Sequence, residues 1–313
     1  MDKKIITLLF LIVIVIGSIL GGVLGSKVDM EKRIGKAQVI PPPPTGTDDV
    51  TLPSLFSNLY FVKTQNEGSG RSEVYVAKKA SNYGTLASYH VSGYELNEGD
   101  DGVFVVNDRG LYFIKRCNTG TGTVEIHRTT ASSGYKTFDI HSGSAFSLDD
   151  SGNGTWIVDG EDLYFISAMD TSSGKIEVYR ASHPDYSPYD LQKATSIPSG
   201  EDSNGTWQIF GGNLYFIKYR NTGGSNVEVQ VLDANNNYQR GTTYESWFDT
   251  GDGDNGTWDI GLNGDLYFIK TRNTGSGMVE VHIATAETNY TQVYHYPTWI
   301  GQADGSNGTW GVY

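Results

Sequence analysis

The sequence predicts an all-β fold, a five-bladed β-propeller closed by its C-terminal strand. Three observations predict it. The triplet Leu-Tyr-Phe recurs at 59–61, 111–113, 163–165, 214–216 and 266–268, with spacings of 52, 52, 51 and 52 residues. A fixed period of this size marks a repeat architecture. Each period then divides into four short runs of aromatic and β-branched residues, separated by Gly/Asn/Asp/Ser clusters, as strands and their turns do. Finally, the first unit begins at its second strand, Leu59, and the strand it lacks stands at 307–313. Pairing the two closes the ring and removes the exposed edges that an open array leaves. A solenoid is the alternative; it needs capping repeats at both ends, and no segment reads as one.

Taken in order, residues 1–25 come first. Asp2-Lys3-Lys4 precedes an uncharged run from Ile5 to Gly25, long enough to span a bilayer of about 30 Å. It reads as a signal anchor or as a cleaved signal peptide, with Val23-Leu24-Gly25 as the cleavage site. Residues 26–53 read as a stalk, in which Pro41 to Pro44 favour extended polyproline II. The expected product is a single-pass membrane protein with an extracellular ring, or a secreted one. Residues 54–313 are the ring.

Within the ring, the last complete unit predicts strands near 256–261, 266–272, 278–284 and 290–296, with 273–277 as a glycine-bearing hairpin loop. Charge tests the register of that hairpin. Lys63/Glu73, Lys115/Glu125, Lys218/Glu228 and Lys270/Glu280 are each ten residues apart, so the turn places them opposite one another, an arrangement expected to stabilise the sheet by about 0.2–1 kcal/mol per pair. Ser167 replaces the lysine in the third unit. A tyrosine marks every unit, at 83, 135, 186, 238 and 290.

Charge narrows the partners. Of 23 basic and 36 acidic residues, six and three precede residue 37, which leaves a net −16 on the rest. Nucleic acid and anionic lipid are poor partners for such a surface, so the membrane is met through the N-terminal segment only. Cys117 is the sole cysteine, which rules out an internal disulfide. Asn153, Asn204, Asn255, Asn289 and Asn307 each open an Asn-x-Thr glycosylation signal. All but Asn289 lie in a repeated Asn-Gly-Thr-Trp, whose Asn-Gly also suits a tight turn.

Two residue sets are candidates for ligand binding. A sugar offers an apolar C–H face and a rim of hydroxyls, so its site wants an aromatic plate beside polar acceptors. Trp156, Trp207, Trp258 and Trp310, with Phe104 in the first copy, each follow an acid by six residues: Glu98, Asp150, Glu201, Asp252 and Asp304. Those acids are alternatively turn formers, and the tryptophans packing between blades. Trp247 and Trp299 add aromatics where the other units carry Gly93, Ala145 and Ser196. The architecture therefore does not demand tryptophan there, which makes these two the sharpest candidates. For catalysis, Asp259 is the one acid expected in the innermost strands. The six histidines show no metal-ligand spacing, and His127 and His282 share a slot with Tyr75, Tyr179 and Gln230.

The run Asn-Gly-Thr-Trp, a short loop, then Asp-Leu-Tyr-Phe-Ile-Lys-Thr-x-Asn-Thr-Gly-x-Gly-x-Val-Glu-Val-His resembles the propeller repeats related to the FG-GAP and VCBS types of secreted microbial proteins. More distantly, the five-unit plan is similar to tachylectin-type lectins. In the first family, the loop between the first and second strands can hold calcium on an Asp-x-Asp-x-Asp-Gly pattern; the corresponding loops here lack the full carboxylate set. Asp252-Gly253-Asp254-Asn255-Gly256 is the best calcium candidate, and no other cofactor is expected. The expected function is an extracellular carbohydrate-binding propeller without enzymatic activity, with several weak, equivalent sites for glycans or glycoproteins. A cell-surface protein-interaction scaffold is the alternative, and a glycosidase acting through Asp259 the third reading.

Overall fold

The computed structural model describes residues 57–149, 151–169 and 171–313. The expected anchor or signal peptide, the stalk and Asp150 lie outside the described residues. Among those described, no helix is long and apolar enough to cross a membrane.

Five four-stranded antiparallel sheets form five blades. From the innermost strand outward, the first blade holds Gly308–Val312, Leu59–Lys63, Arg71–Ala77 and Leu86–Glu95. The second holds Gly102–Asn107, Gly110–Lys115, Thr123–Thr129 and Phe138–Ser147. Gly154–Asp159, Asp162–Ser167, Lys175–Ala181 and Leu191–Pro198 build the third. Gly205–Phe210, Asn213–Lys218, Asn226–Leu232 and Gly241–Asp249 build the fourth. The fifth is Gly256–Ile260, Leu266–Lys270, Met278–Ala284 and Val293–Gly301. The innermost strands neighbour one another in a closed cycle and line a central channel. The ring closes as expected: Leu59 pairs with Val312 and Lys63 with Gly308.

Strand boundaries in the fifth blade differ from expectation: the first two strands end at Ile260 and Lys270, not at 261 and 272, and the outer one at Gly301, not at 296. The outer strand of the fifth blade begins at Val293, not at 290. Tyr290 is instead in a left-handed turn, as are Tyr83, Tyr135, Tyr186 and Tyr238, with φ between 52° and 63°. Such a conformation costs a bulky residue on the order of 1–3 kcal/mol. The turn is offset by burial of each ring. In four cases the hydroxyl also donates to a backbone carbonyl, of Ser57, Glu161, Gly212 and Gly264.

The core lies between blades. One apolar cluster joins Leu59, Phe61 and Tyr83 of the first blade to Tyr267, Ile269 and Val281 of the fifth, and the other junctions repeat the plan. The Asn-Gly-Thr-Trp segment locks each blade internally. Its backbone carbonyl at Asn153, Asn204, Asn255 and Asn307 accepts two successive N–H groups from the end of the second strand. A Cβ on the following glycine would stand 1.9–2.2 Å from a carbonyl oxygen of that same strand, so no other residue fits there.

Candidate functional site

The lysine–glutamate register is as expected: Lys63 faces Glu73, Lys115 Glu125, Lys218 Glu228 and Lys270 Glu280. The ion pairs are different. Each lysine reaches the acid of the connection entering its blade: Lys63–Asp304 at 3.4 Å, Lys115–Glu98 at 3.8 Å, Lys218–Glu201 and Lys270–Asp252 both at 2.7 Å. The facing glutamate is already satisfied, because the hairpin loop donates to its Oε1, through Gly120 and Thr121 to Glu125, Gly223 to Glu228 and Ser276 to Glu280. Lys218, then burial and Asn204, set the Glu201 carboxyl; the net effect lowers it.

This arrangement redistributes the candidate residues. Trp156, Trp207, Trp258 and Trp310 are buried to 5 % exposure or less. Each stacks on the phenylalanine of its neighbouring strand, with centroids 4.1–4.3 Å apart. Each indole N–H is also spent, on Ser151 O, the Asp202 carboxylate, Gly253 O and Gly305 O. With ring faces covered, these four hold the blade together and offer no plate to a ligand. Glu201, Asp252 and Asp304 sit at the rim, each paired with a lysine.

The repeated asparagines are internal struts. Asn204 is buried; its amide donates to Glu201 and accepts from Asn221. Asn255 and Asn307 make the same two-sided bridge, to Asp252 and Asn273, and to Asp304 and Asn66. A glycan on these nitrogens would displace the bridge. Asn153 is partly buried, whereas Asn289 is exposed, in a left-handed turn. The calcium candidate loop is likewise committed elsewhere: Asp252 pairs with Lys270 and Asp254 with Arg220.

Trp247 and Trp299 occupy a different environment, on outer strands at blade junctions. The Trp247 backbone N–H donates to the carbonyl of Tyr290 in the next blade; Gly93, Ala145 and Ser196 make the equivalent link to Tyr135, Tyr186 and Tyr238. The junction fixes the backbone and leaves the side chain free to vary, except at Gly93, where a Cβ would lie 2.5 Å from Lys136 O. Trp247 is 40 % exposed. Trp299 is half-buried and lines a cavity of about 220 Å³ with Phe61, Lys63, Tyr75, Leu86 and Asp304. Its ring meets Tyr75 edge-on at 6.2 Å. The structure thus brings one expected aromatic, Trp299, together with one expected acid, Asp304, across the junction of the fifth and first blades.

Beside that cavity is a pair that sequence reasoning missed. Glu67 stands where other hairpins carry Thr119, Thr171, Thr222 and Thr274. Burial, then its neighbour Glu73, push the Glu67 carboxyl up. Burial opposes ionisation of Glu73 too, but hydrogen bonds from Glu67, Tyr75 and Tyr89 hold it low. Glu67 is therefore the more readily protonated of the two, and Lys63 Nζ lies 3.2 Å from it. The lone acid in a threonine slot was the available signal.

The channel acids are also fixed. Asp259 is joined on the channel wall by Asp159, the last residue of the innermost strand Gly154–Asp159, so the sequence's expectation of a single acid in these strands is one short. Asp259 accepts the N–H groups of Ile260 and, across the blade junction, Val312; Asp159 accepts that of Gly212. Burial pushes Asp259 up to about 7, against those two hydrogen bonds.

Four of the six histidines, scattered in sequence, fall together in two pairs. His127 pairs directly across its hairpin with His141, and His282 with His295. Their cross-strand register was legible once the hairpin was placed; the linear spacing concealed it.

No protein family and no curated protein matches this chain. Among solved structures it is similar to an exo-β-1,3-galactanase from Clostridium thermocellum, at 11 % identity and a TM-score of 0.34, over 68 % of this chain and 60 % of that one. A protein from Lactobacillus plantarum gives 9 % identity and 0.34, over 78 % and 67 %. This chain spans about 60 % of the galactanase's length. Similarity this distant carries no functional argument; the five-bladed assignment rests on the sheet order and ring closure. The likeness to FG-GAP, VCBS and tachylectin-type repeats remains one of sequence pattern.

Proposed function

We propose that the ring is a carbohydrate-binding module whose principal site is the groove between the fifth and first blades. One observation carries this reading: the cavity at Trp299 combines an aromatic plate with the Asp304–Lys63 ion pair at its rim. An indole face covers the apolar side of a pyranose, while a carboxylate and an ammonium exchange hydrogen bonds with its hydroxyls. The volume suits one sugar residue of a longer chain. Trp247, with Asp252 and Lys270, supplies a second and more open site of the same type. Two weak sites on one ring gain avidity on a multivalent glycan surface. In this reading the N-terminal 25 residues and the proline-bearing stalk hold or deliver the ring outside the cell.

The experiment is a glycan-array screen of the full-length protein in detergent micelles, beside the Trp299→Ala variant. Saturable binding to a related group of sugars, weakened by Trp299→Ala, is the expected result. A blank array from folded protein overturns the reading and leaves a protein-interaction scaffold in its place.

A further inference from the structure

Two blades carry the same three-residue constellation, which contributes no residue to the Trp299 cavity. In the second blade, Glu125 Oε2 lies 3.3 Å from His127 Nε2 and 3.7 Å from His141 Nε2. In the fifth, Glu280 Oε2 lies 3.4 Å from both His282 Nε2 and His295 Nε2. Each trio's ligand atoms all fall within 4.8 Å of one another. The two imidazoles stack, with centroids 4.2 Å apart in the second blade and 4.5 Å in the fifth, so both ring nitrogens address the same carboxylate oxygen. We propose that these trios are two divalent transition-metal sites of the zinc class, each with two imidazole ligands, one carboxylate ligand and a remaining position open to solvent.

Four features carry the proposal. The first is spacing: tetrahedral ligands at about 2.1 Å from zinc stand about 3.4 Å apart, and the nitrogen–oxygen separations in both trios match that edge. The second is preorganisation. The hairpin loop fixes the opposite oxygen of each glutamate, through Gly120 and Thr121 N–H to Glu125 and through Ser276 to Glu280. The remaining oxygen is thereby aimed at the imidazoles, as an outer-shell partner aims a metal ligand. Third, His282 Nε2 is buried without a hydrogen-bond partner, an expensive state that a metal bond relieves. The fourth is contrast between blades. The third blade places Tyr179 and Gln192 at the two histidine positions, and a chain of hydrogen bonds, Gln192 to Tyr179 to Glu177, satisfies the carboxylate. One hydroxyl is enough for that task, so architecture does not account for two imidazoles on one oxygen.

Electrostatics agree. Burial, then His141, lower the His127 imidazole; burial lowers that of His282 as well, followed by the opposing contact with Glu280. Each shift favours the neutral imidazole, the form that binds metal. The cations facing the trios, Lys115 and Lys270, are neutralised by Glu98 and Asp252. Nitrogen donors disfavour calcium, which takes oxygen ligands. His141 and His295 are about half-exposed or more at the side chain, so the ion has a direct approach.

The test is zinc uptake by the full-length protein in detergent at pH 7.5, followed by isothermal titration and by metal content after gel filtration. His141→Gln and His295→Gln take the residue that the third blade carries at this position, so the variants keep a side chain the architecture already uses. The wild type is expected to retain two zinc ions, each single variant one, and the double variant none, with calcium giving no uptake. A wild type that retains no zinc, or a double variant that still retains two, overturns the proposal.

Discussion

The first and fourth blades are built on one frame and differ in what they show to solvent. Both stack an inner-strand tryptophan on a phenylalanine, Trp310 on Phe61 and Trp207 on Phe216. Both pair a second-strand lysine with the acid of the incoming connection, Lys63 with Asp304 and Lys218 with Glu201. At the junction, however, the first blade receives Trp299 and carries Tyr75, Tyr89 and Glu67, where the fourth has Ser196, Gln230, Thr243 and Thr222. What recurs in every unit holds the ring; what departs from the repeat furnishes the groove. On the proposed function, deviation from the internal pattern is what marks the binding surface.

The largest test of this division is truncation of the shared frame. Trp207→Ala and Trp310→Ala are each expected to lower stability by about 3–5 kcal/mol, since both remove a buried indole and its hydrogen bond. Urea denaturation reads this directly, and a loss confined to one blade would break the equivalence.

The channel side comes next. At one repeat position, the fourth blade carries Gln208 and the fifth carries Asp259, whose carboxylate holds Val312 of the first blade. Asp259 is raised to about 7 in the folded ring from 3.8. The fold therefore binds its proton more tightly than the unfolded chain does, and stability falls as pH rises from about 4 to about 7. Asp259→Asn is expected to flatten that decline, by up to ~4 kcal/mol at neutral pH. Urea midpoints measured from pH 4 to 8 check it; an unchanged slope would mean that the acid is ionised throughout.

A smaller effect is expected at Trp299. Trp299→Ala is expected to weaken glycan binding on the order of tenfold or more while costing about 1 kcal/mol or less in stability. The smallest belongs to the rim pair of the fourth blade. Lys218→Ala removes a partly exposed ion pair and is expected to cost about 1 kcal/mol or less, with no change in ligand binding. Thermal melts beside the array distinguish these two variants, because the first moves binding and the second moves only the melt.

The fold was legible in the sequence because period, strand count and the displaced first strand all report one geometry. Hairpin register was legible too, from lysines and glutamates ten residues apart. Their pairing was not, because the connection acids compete for the same ammonium groups, and sequence separation hides how close Asp304 comes to Lys63. The repeated tryptophans read equally as plates or as packing, and only their stacking on Phe61, Phe165, Phe216 and Phe268 separates the two. The histidine pairs show no metal-ligand spacing in sequence for a related reason: His141 and His295 each meet their partner across a hairpin whose loop differs in length, so the pairs are 14 and 13 residues apart.

Closure of the ring by Gly308–Val312 has a consequence for biogenesis. During synthesis, Leu59–Lys63 emerges about 250 residues before the strand that pairs with its inner edge. The second to fifth blades each complete their sheets from contiguous chain, while the first stays one strand short until Gly308–Val312 is made. The groove at Trp299 spans that last junction. A polypeptide released before residue 308, whatever blades it has folded, leaves the inner edge of Leu59–Lys63 unpaired, so the pairing of that edge reports that the ring is whole.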